Sequence, residues 1–257
     1  MGASEAAAQR GLAPYLRLVA FKHSVFALPF ALQGAWLAAG GLPTARDLVL
    51  IVLCAVAART AAMAFNRLVD ARYDARNPRT RARELVTGAL SRGRVTVLVI
   101  ASAAVFVAGA WALNPLCGTL SLPVLAVLLG YSLTKRFTWL AHGFLGLALG
   151  LAPPAAWLAV RGSLQGDLVA PLLLGAAVLA WVAGFDLIYS CQDADHDRRV
   201  GLHSVPARFG IGFALRLSAL LHVLSVAFFA AEGITAGLSV PFWVALTLAA
   251  ALLVWEH

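Results

Sequence analysis

Charge is scarce in this chain. Only 12% of its 257 residues are Asp, Glu, Lys or Arg, while 61% are hydrophobic, and the mean hydropathy is +0.84. Such a composition excludes an ordinary soluble domain and predicts an all-α, polytopic transmembrane bundle. No polar stretch is long enough for a second domain, so residues 1–257 are expected to form one unit. Lysine is almost missing: of 20 basic residues, 18 are Arg and only Lys22 and Lys135 are Lys. The three cysteines, Cys54, Cys117 and Cys191, are dispersed, which gives no disulfide or zinc framework. The opening MGASEAAAQR lacks the charged, apolar and cleavage regions of a signal peptide. Ala6 also breaks the pattern for acylation at Gly2.

What is present is long apolar runs. A helix needs about 20 such residues to cross the hydrocarbon core. Eight segments are predicted, at 23–41, 48–66, 95–113, 115–134, 139–160, 168–190, 211–231 and 236–255. With the N-terminus placed in the cytoplasm, 17 of the 20 basic residues fall on that side, as the positive-inside rule requires. Arg46 and Arg161 lie opposite and Arg59 lies within a span. The net charge of +8 is therefore a loop feature. It suits anionic headgroups or a phosphorylated substrate, and it does not imply nucleic acid.

Against this background two acidic clusters stand out. Asn66, Asp70 and Asp74 repeat at a spacing of four, as do Tyr189, Asp193 and Asp197, with Asp186 preceding them. Seven of the 12 acidic residues lie in or near these stretches. Asp70 and Asp193 are 123 residues apart, as are Asp74 and Asp197. The equal offset predicts two pseudo-repeated four-helix halves of the same polarity, with both clusters at one membrane face. On a helix each cluster falls within a stripe of about 80°, which Arg59 shares with the first. Carboxylates so close repel unless cations neutralise them. Mg²⁺, which shares a few carboxylates with substrate phosphates, fits this better than a closed cage.

Cations surround the acids: Arg17 and Lys22 before the first span, Lys135 and Arg136 after the fourth, and Arg79, Arg81 and Arg83 between the second and third. Guanidinium and ammonium groups beside metal-binding acids point to a diphosphate. For Arg79, Arg81 and Arg83 the positive-inside rule alone is an equal explanation. Tyr131, one turn before Lys135, and Tyr189 either orient phosphate, face a cation with the ring, or pack between helices. His142 and His222 read as ordinary helix residues, and His196 as a polar or phosphate contact. A transporter with an acid-lined pathway is the alternative class, although it would want charge nearer the midplane.

The stretches FNRLVDARYDARNPRTRAREL and DLIYSCQDADHDRRVGLHSVPARFG, with FKHSVFALPFAL and YSLTKRFTWL, resemble the motifs of the UbiA superfamily of intramembrane aromatic prenyltransferases. The resemblance spans nearly the whole chain. It implies Mg²⁺ at Asn66, Asp70, Asp74, Asp193 and Asp197, and diphosphate contacts from Arg17, Lys22, Arg59, Tyr131, Lys135 and Arg136. The reaction implied is transfer of a polyprenyl group from polyprenyl diphosphate to an aromatic acid. Asp70, Asp74, Asp186, Tyr189 and Asp193 would form the catalytic set, with Asp74 or Asp186 as the final base. Arg67 stands where many members carry Asp, a form that looks most like the bacterial 4-hydroxybenzoate polyprenyltransferase-like branch. Part of that branch prenylates a dihydroxynaphthoate for menaquinone. The expected location of the chain is the bacterial inner membrane, with the acids facing the cytoplasm. The family has nine spans, so with the eighth ending at His257 the last family helix is expected to be missing.

Overall fold

Short polar side chains at the ends of apolar runs set where the helices begin. The computed structural model describes residues 13–19 and 28–257, so Lys22 and His23 lie outside the described residues. Its helices are α1 (Ala13–Leu18), α2 (Leu28–Ala39), α3 (Ala45–Asp74), α4 (Arg92–Leu113), α5 (Pro115–Thr134) and α6 (Ala141–Gly150). They are followed by α7 (Ala152–Arg161), α8 (Val169–Ser190), α9 (Ala194–Val200), α10 (Val205–Phe209), α11 (Ile211–Thr235) and α12 (Val240–Glu256). Thr44, Ser91 and Asn114 cap α3, α4 and α5 by accepting backbone N–H groups three residues on. Pro115, at the first position of α5, costs no hydrogen bond there. Asn114 also donates to the carbonyls of Leu158 and Ala159 at 3.1 and 3.0 Å, tying the α4–α5 turn to α7. No strand occurs among the described residues.

Each predicted apolar segment is helical over most of its described length. Among the described residues six stretches are long and apolar enough to cross a membrane: α3, α4, α5, Ala141–Arg161, Val169–Val200 and α11. The helices α2 and α12 are apolar but shorter. Residues such as Val97, Ile100, Leu122 and Val223 are more than 60% exposed. That exposure is sustainable in lipid and would be a large apolar patch in water. The protein is an integral membrane protein.

Shifting α2, α3, α4 and α5 by 123 residues brings them close to α7, α8, α11 and α12. Neighbour relations repeat too, since α3 packs extensively on α4 and α8 on α11, while α2 packs on α7 across the halves. One further tie between the halves is polar: Gln33 Nε2 on α2 donates at 3.0 Å to the fully buried Glu232 on α11.

The interior is built from small residues. Ala57, Ala61 and Ala64 of α3 and Ala177, Ala180 and Ala183 of α8 are buried, letting backbones approach closely. A Cβ on Gly34 would collide with the Pro153 backbone where α2 meets α7. Backbone cannot yield as a side chain can, so Gly34→Ala is expected to cost about 1–3 kcal/mol. Gly130→Ala, with open space around it, should leave the detergent melting temperature nearly unchanged. Equal melting temperatures for the two variants would contradict the close crossing.

Candidate active site

The first acidic cluster occupies the last turns of α3. Asn66 Nδ2 donates to Asp70 Oδ2 at 2.9 Å, the helical spacing bringing them together. Arg136 reaches Asp70 Oδ1 at 3.3 Å and the Val69 carbonyl at 2.7 Å. Asp74, the final residue of α3, is buried and accepts from Arg83 Nη1 at 2.6 Å. Thr80 Oγ1 donates to its carbonyl at 3.2 Å, so the chain after α3 folds back over the cluster.

The second cluster departs from the single helical stripe expected of it. The chain leaves α8 at Ser190, passes through a 3₁₀ turn at Cys191–Asp193, and re-enters a helix at Ala194. Over three residues such a turn advances roughly 60° further than an α-helix, so Asp197 is rotated away from the line of Asp186. Asp193 accepts from Asn77 Nδ2 at 2.9 Å and from Arg79 Nε at 3.0 Å, and Arg79 Nη2 closes the fork on its other oxygen. Arg79 also donates to the Tyr189 hydroxyl at 2.8 Å and lies 4.9 Å from the centre of that ring. The hydrogen-bonded Asp193 carboxylate pushes the Arg79 guanidinium above its usual range. Residues 77 and 79 thus join the two clusters, and both motifs sit at one end of the bundle.

The remaining site residues are less uniform. Asp186 meets His142, its Oδ2 lying 2.7 Å from Nδ1. This corrects the reading of His142 as an ordinary helix residue: it is buried because it serves a carboxylate. Asp197 is 3% exposed, and its Oδ2 has no partner among the described residues. Arg67 Nε and Arg136 Nε are buried donors likewise without acceptors. Lys135 acts electrostatically on Asp70, Asp186 and Asp193 alike, and its carbonyl accepts from the His203 N–H at 2.7 Å. Arg17 pairs with Glu84 at 3.4 Å. Among the described residues no three His, Cys, Asp or Glu side chains converge as a ready metal cage, since arginines occupy Asp70, Asp74 and Asp193.

An apolar cavity of about 370 Å³ opens between α2, α3, α4, α5, α6 and α7. Arg59 and Tyr131 are its ionisable lining groups on the side of the motifs, while Ile51, Leu113, Cys117 and Leu158 line its far end.

Acids, forked cations and an adjoining apolar cavity in a helical membrane bundle define a membrane enzyme acting on a lipid-like diphosphate. The chain belongs to the UbiA prenyltransferase family, whose pattern matches residues 27–257. It is 36% identical over 222 residues to a 4-hydroxybenzoate octaprenyltransferase of Xanthomonas campestris pv. campestris, covering 86% of this chain and 72% of that protein. The apo structure of a UbiA homologue from Aeropyrum pernix K1 superposes with a TM-score of 0.84 at 38% identity, covering 91% of this chain and 86% of that one. A UbiA homologue from Archaeoglobus fulgidus, bound to DMAPP and Mg²⁺, shares the fold with a TM-score of 0.75 at 22% identity over 94% and 85% of the two chains. Transport, the alternative raised by acids in a membrane, gives way to prenyl transfer.

Asn77 and His142 carried no signal in sequence beyond lying three residues after Asp74 and seven after Lys135. The Arg79–Asp193 fork predicts its own test. Arg79→Ala removes charge-assisted bonds to a mostly buried carboxylate and should destabilise the metal-free protein by about 2 kcal/mol. Arg79→Lys should recover little of the lost melting temperature, because a point charge does not replace a fork. Full recovery by Lys would show that charge alone matters there.

Proposed function

We propose that the protein transfers a polyprenyl group from polyprenyl diphosphate to the ring of an aromatic acid, 4-hydroxybenzoate or a dihydroxynaphthoate, in quinone biosynthesis. One observation carries the reading. Buried donors without acceptors (Arg67 Nε, Arg136 Nε) and a buried acceptor without a donor (Asp197 Oδ2) lie at the motif end of the bundle. Unsatisfied buried groups are costly, and a diphosphate with its cations would satisfy both kinds. The name of the Xanthomonas relative favours the benzoate.

Asn66, Asp70, Asp74, Asp193 and Asp197 would hold Mg²⁺, whose charge makes the diphosphate a better leaving group. The chain's own residues do the rest. Arg17, Lys22, Arg59, Lys135 and Arg136 bind diphosphate oxygens. Tyr131 and Tyr189 orient the phosphate or face the allylic cation. The apolar cavity takes the isoprenoid tail and excludes water from the cation that forms at its mouth. The ring carbon ortho to the phenol attacks that cation, and Asp74 or Asp186 accepts the displaced proton. Residues 1–257 act as one domain, in a bacterial inner membrane with the acids toward the cytoplasm. That orientation follows from the basic residues of the motif-side loops.

The test uses purified protein in lipid vesicles with a labelled polyprenyl diphosphate, with and without Mg²⁺. Both acceptors are offered in parallel and products are identified by mass. An Mg²⁺-dependent prenylated acceptor is expected, falling by at least about a hundredfold in Asp70→Ala and Asp193→Ala. Diphosphate release with neither acceptor would overturn the reading. Ala155 lines the cavity, so Ala155→Phe should slow long-chain donors while leaving geranyl diphosphate nearly unaffected. A uniform loss across donor lengths would place the tail elsewhere.

A further inference from the structure

Most of the clustered carboxylates pair with a guanidinium group. Asp70, Asp74 and Asp193 are held by Arg136, Arg83 and Arg79, and Asp195 by Arg198. Asp186 alone pairs with an imidazole. A carboxylate in direct contact with a permanent guanidinium charge is a poorer proton acceptor than one whose hydrogen-bond donor is neutral. Asp74 is such a case, with Arg83 at 2.6 Å. Asp74 and Asp186 each keep one oxygen without a hydrogen bond among the described residues, but the Asp74 side chain is 9% exposed, whereas that of Asp186 is 22% exposed beside a His142 side chain at 4%.

The second ring nitrogen of His142 settles the proton's place. The Val205 backbone N–H points at Nε2 from 3.4 Å, and a backbone N–H only donates. Nε2 must therefore present its lone pair, which leaves the proton on Nδ1, donated to Asp186 Oδ2. An imidazolium would set N–H against N–H at Val205. The donor is itself fixed: Val205 is 2% exposed and packs with Leu187 and Ala214, and Ser204 caps α10. Facing Asp186 are His142, Lys135 and Asp193. Asp186, like Asp70, acts electrostatically on Tyr131, which lines the apolar cavity.

Resting on the transfer reading, we infer that Asp186, not Asp74, takes the ring proton, and that His142 is its positioning residue, locked as a neutral Nδ1–H tautomer by Val205. The bonds balance. The prenyl C1–O bond breaks with its electron pair leaving on the diphosphate, and the ring carbon bonds to C1. The C–H pair then restores aromaticity as the proton passes to Asp186 Oδ1. A neutral histidine adds a donor that aims the carboxylate without discharging it.

Three variants and two readouts test this. His142→Ala should lower kcat by roughly ten- to a hundredfold, with the KM for the prenyl diphosphate unchanged. A ring-deuterated acceptor should show a larger isotope effect than in wild type, as proton removal becomes limiting. His142→Gln, whose amide donates to Asp186, should recover most of the rate. Val205→Pro removes the N–H at the first position of α10, after a residue already extended, exchanges the buried isopropyl group for another apolar one beside Leu187 and Ala214, and should lower kcat with the same isotope signature. Independently of turnover, nitrogen NMR of labelled histidine should find Nδ1 protonated and Nε2 bare. An Nε2–H tautomer or an imidazolium overturns the inference, as does a wild-type kcat in His142→Ala or a rate loss without a change in isotope effect. An inactive wild type would instead remove the transfer reading beneath it.

Discussion

Carboxylates gathered at one end of an apolar bundle repel each other, and the surrounding hydrocarbon gives them no solvent to spread their charge. Compensation by cations shapes everything nearby. Asp74 and Asp193 draw Arg83 and Arg79 down from the segment after α3, a segment whose backbone otherwise makes only short turns. Asp70 draws Arg136 across from the end of α5. The order of these connecting stretches is thus a consequence of charge pairing more than of apolar burial. One of these cations, Arg136, is also among the groups proposed to bind a diphosphate.

The two halves repeat in their helices but not in their chemistry. Asp70 and Asp193 are equivalent by position, yet one is held by an arginine from its own half and the other by Asn77 and Arg79 from the opposite half. The first cluster keeps α-helical spacing, while the second passes through a 3₁₀ turn. Only the second half adds a histidine to its leading acid. Symmetry supplies the frame, and departures from it give the two clusters different partners.

Much of this was legible in the chain itself. Hydropathy located the helices, and the four-residue spacing of Asn66 and Asp70 foretold their contact, because helical periodicity is a local property. The offset between the clusters matched the offset between the helices. Long-range pairings were not legible: Arg79 and Asp193 are 114 residues apart and His142 and Asp186 are 44 apart, and no local pattern encodes such a meeting. The 3₁₀ turn was hidden as well, since Cys191, Gln192 and Asp193 include neither Gly nor Pro to mark a break. Arg67 stood out as a substitution in a motif, but only burial revealed its unsatisfied donor.

The chain's near-total preference for arginine gives its described lysine a meaning. A guanidinium commits its planar fork to one carboxylate, as Arg79 does to Asp193. The Lys135 ammonium is a compact point charge, and it acts on Asp70, Asp186 and Asp193 together. It therefore serves as a common counter-ion that need not choose. An ammonium on a flexible stem can shift among these acids as their charge changes, where an arginine would have to break one geometry to make another.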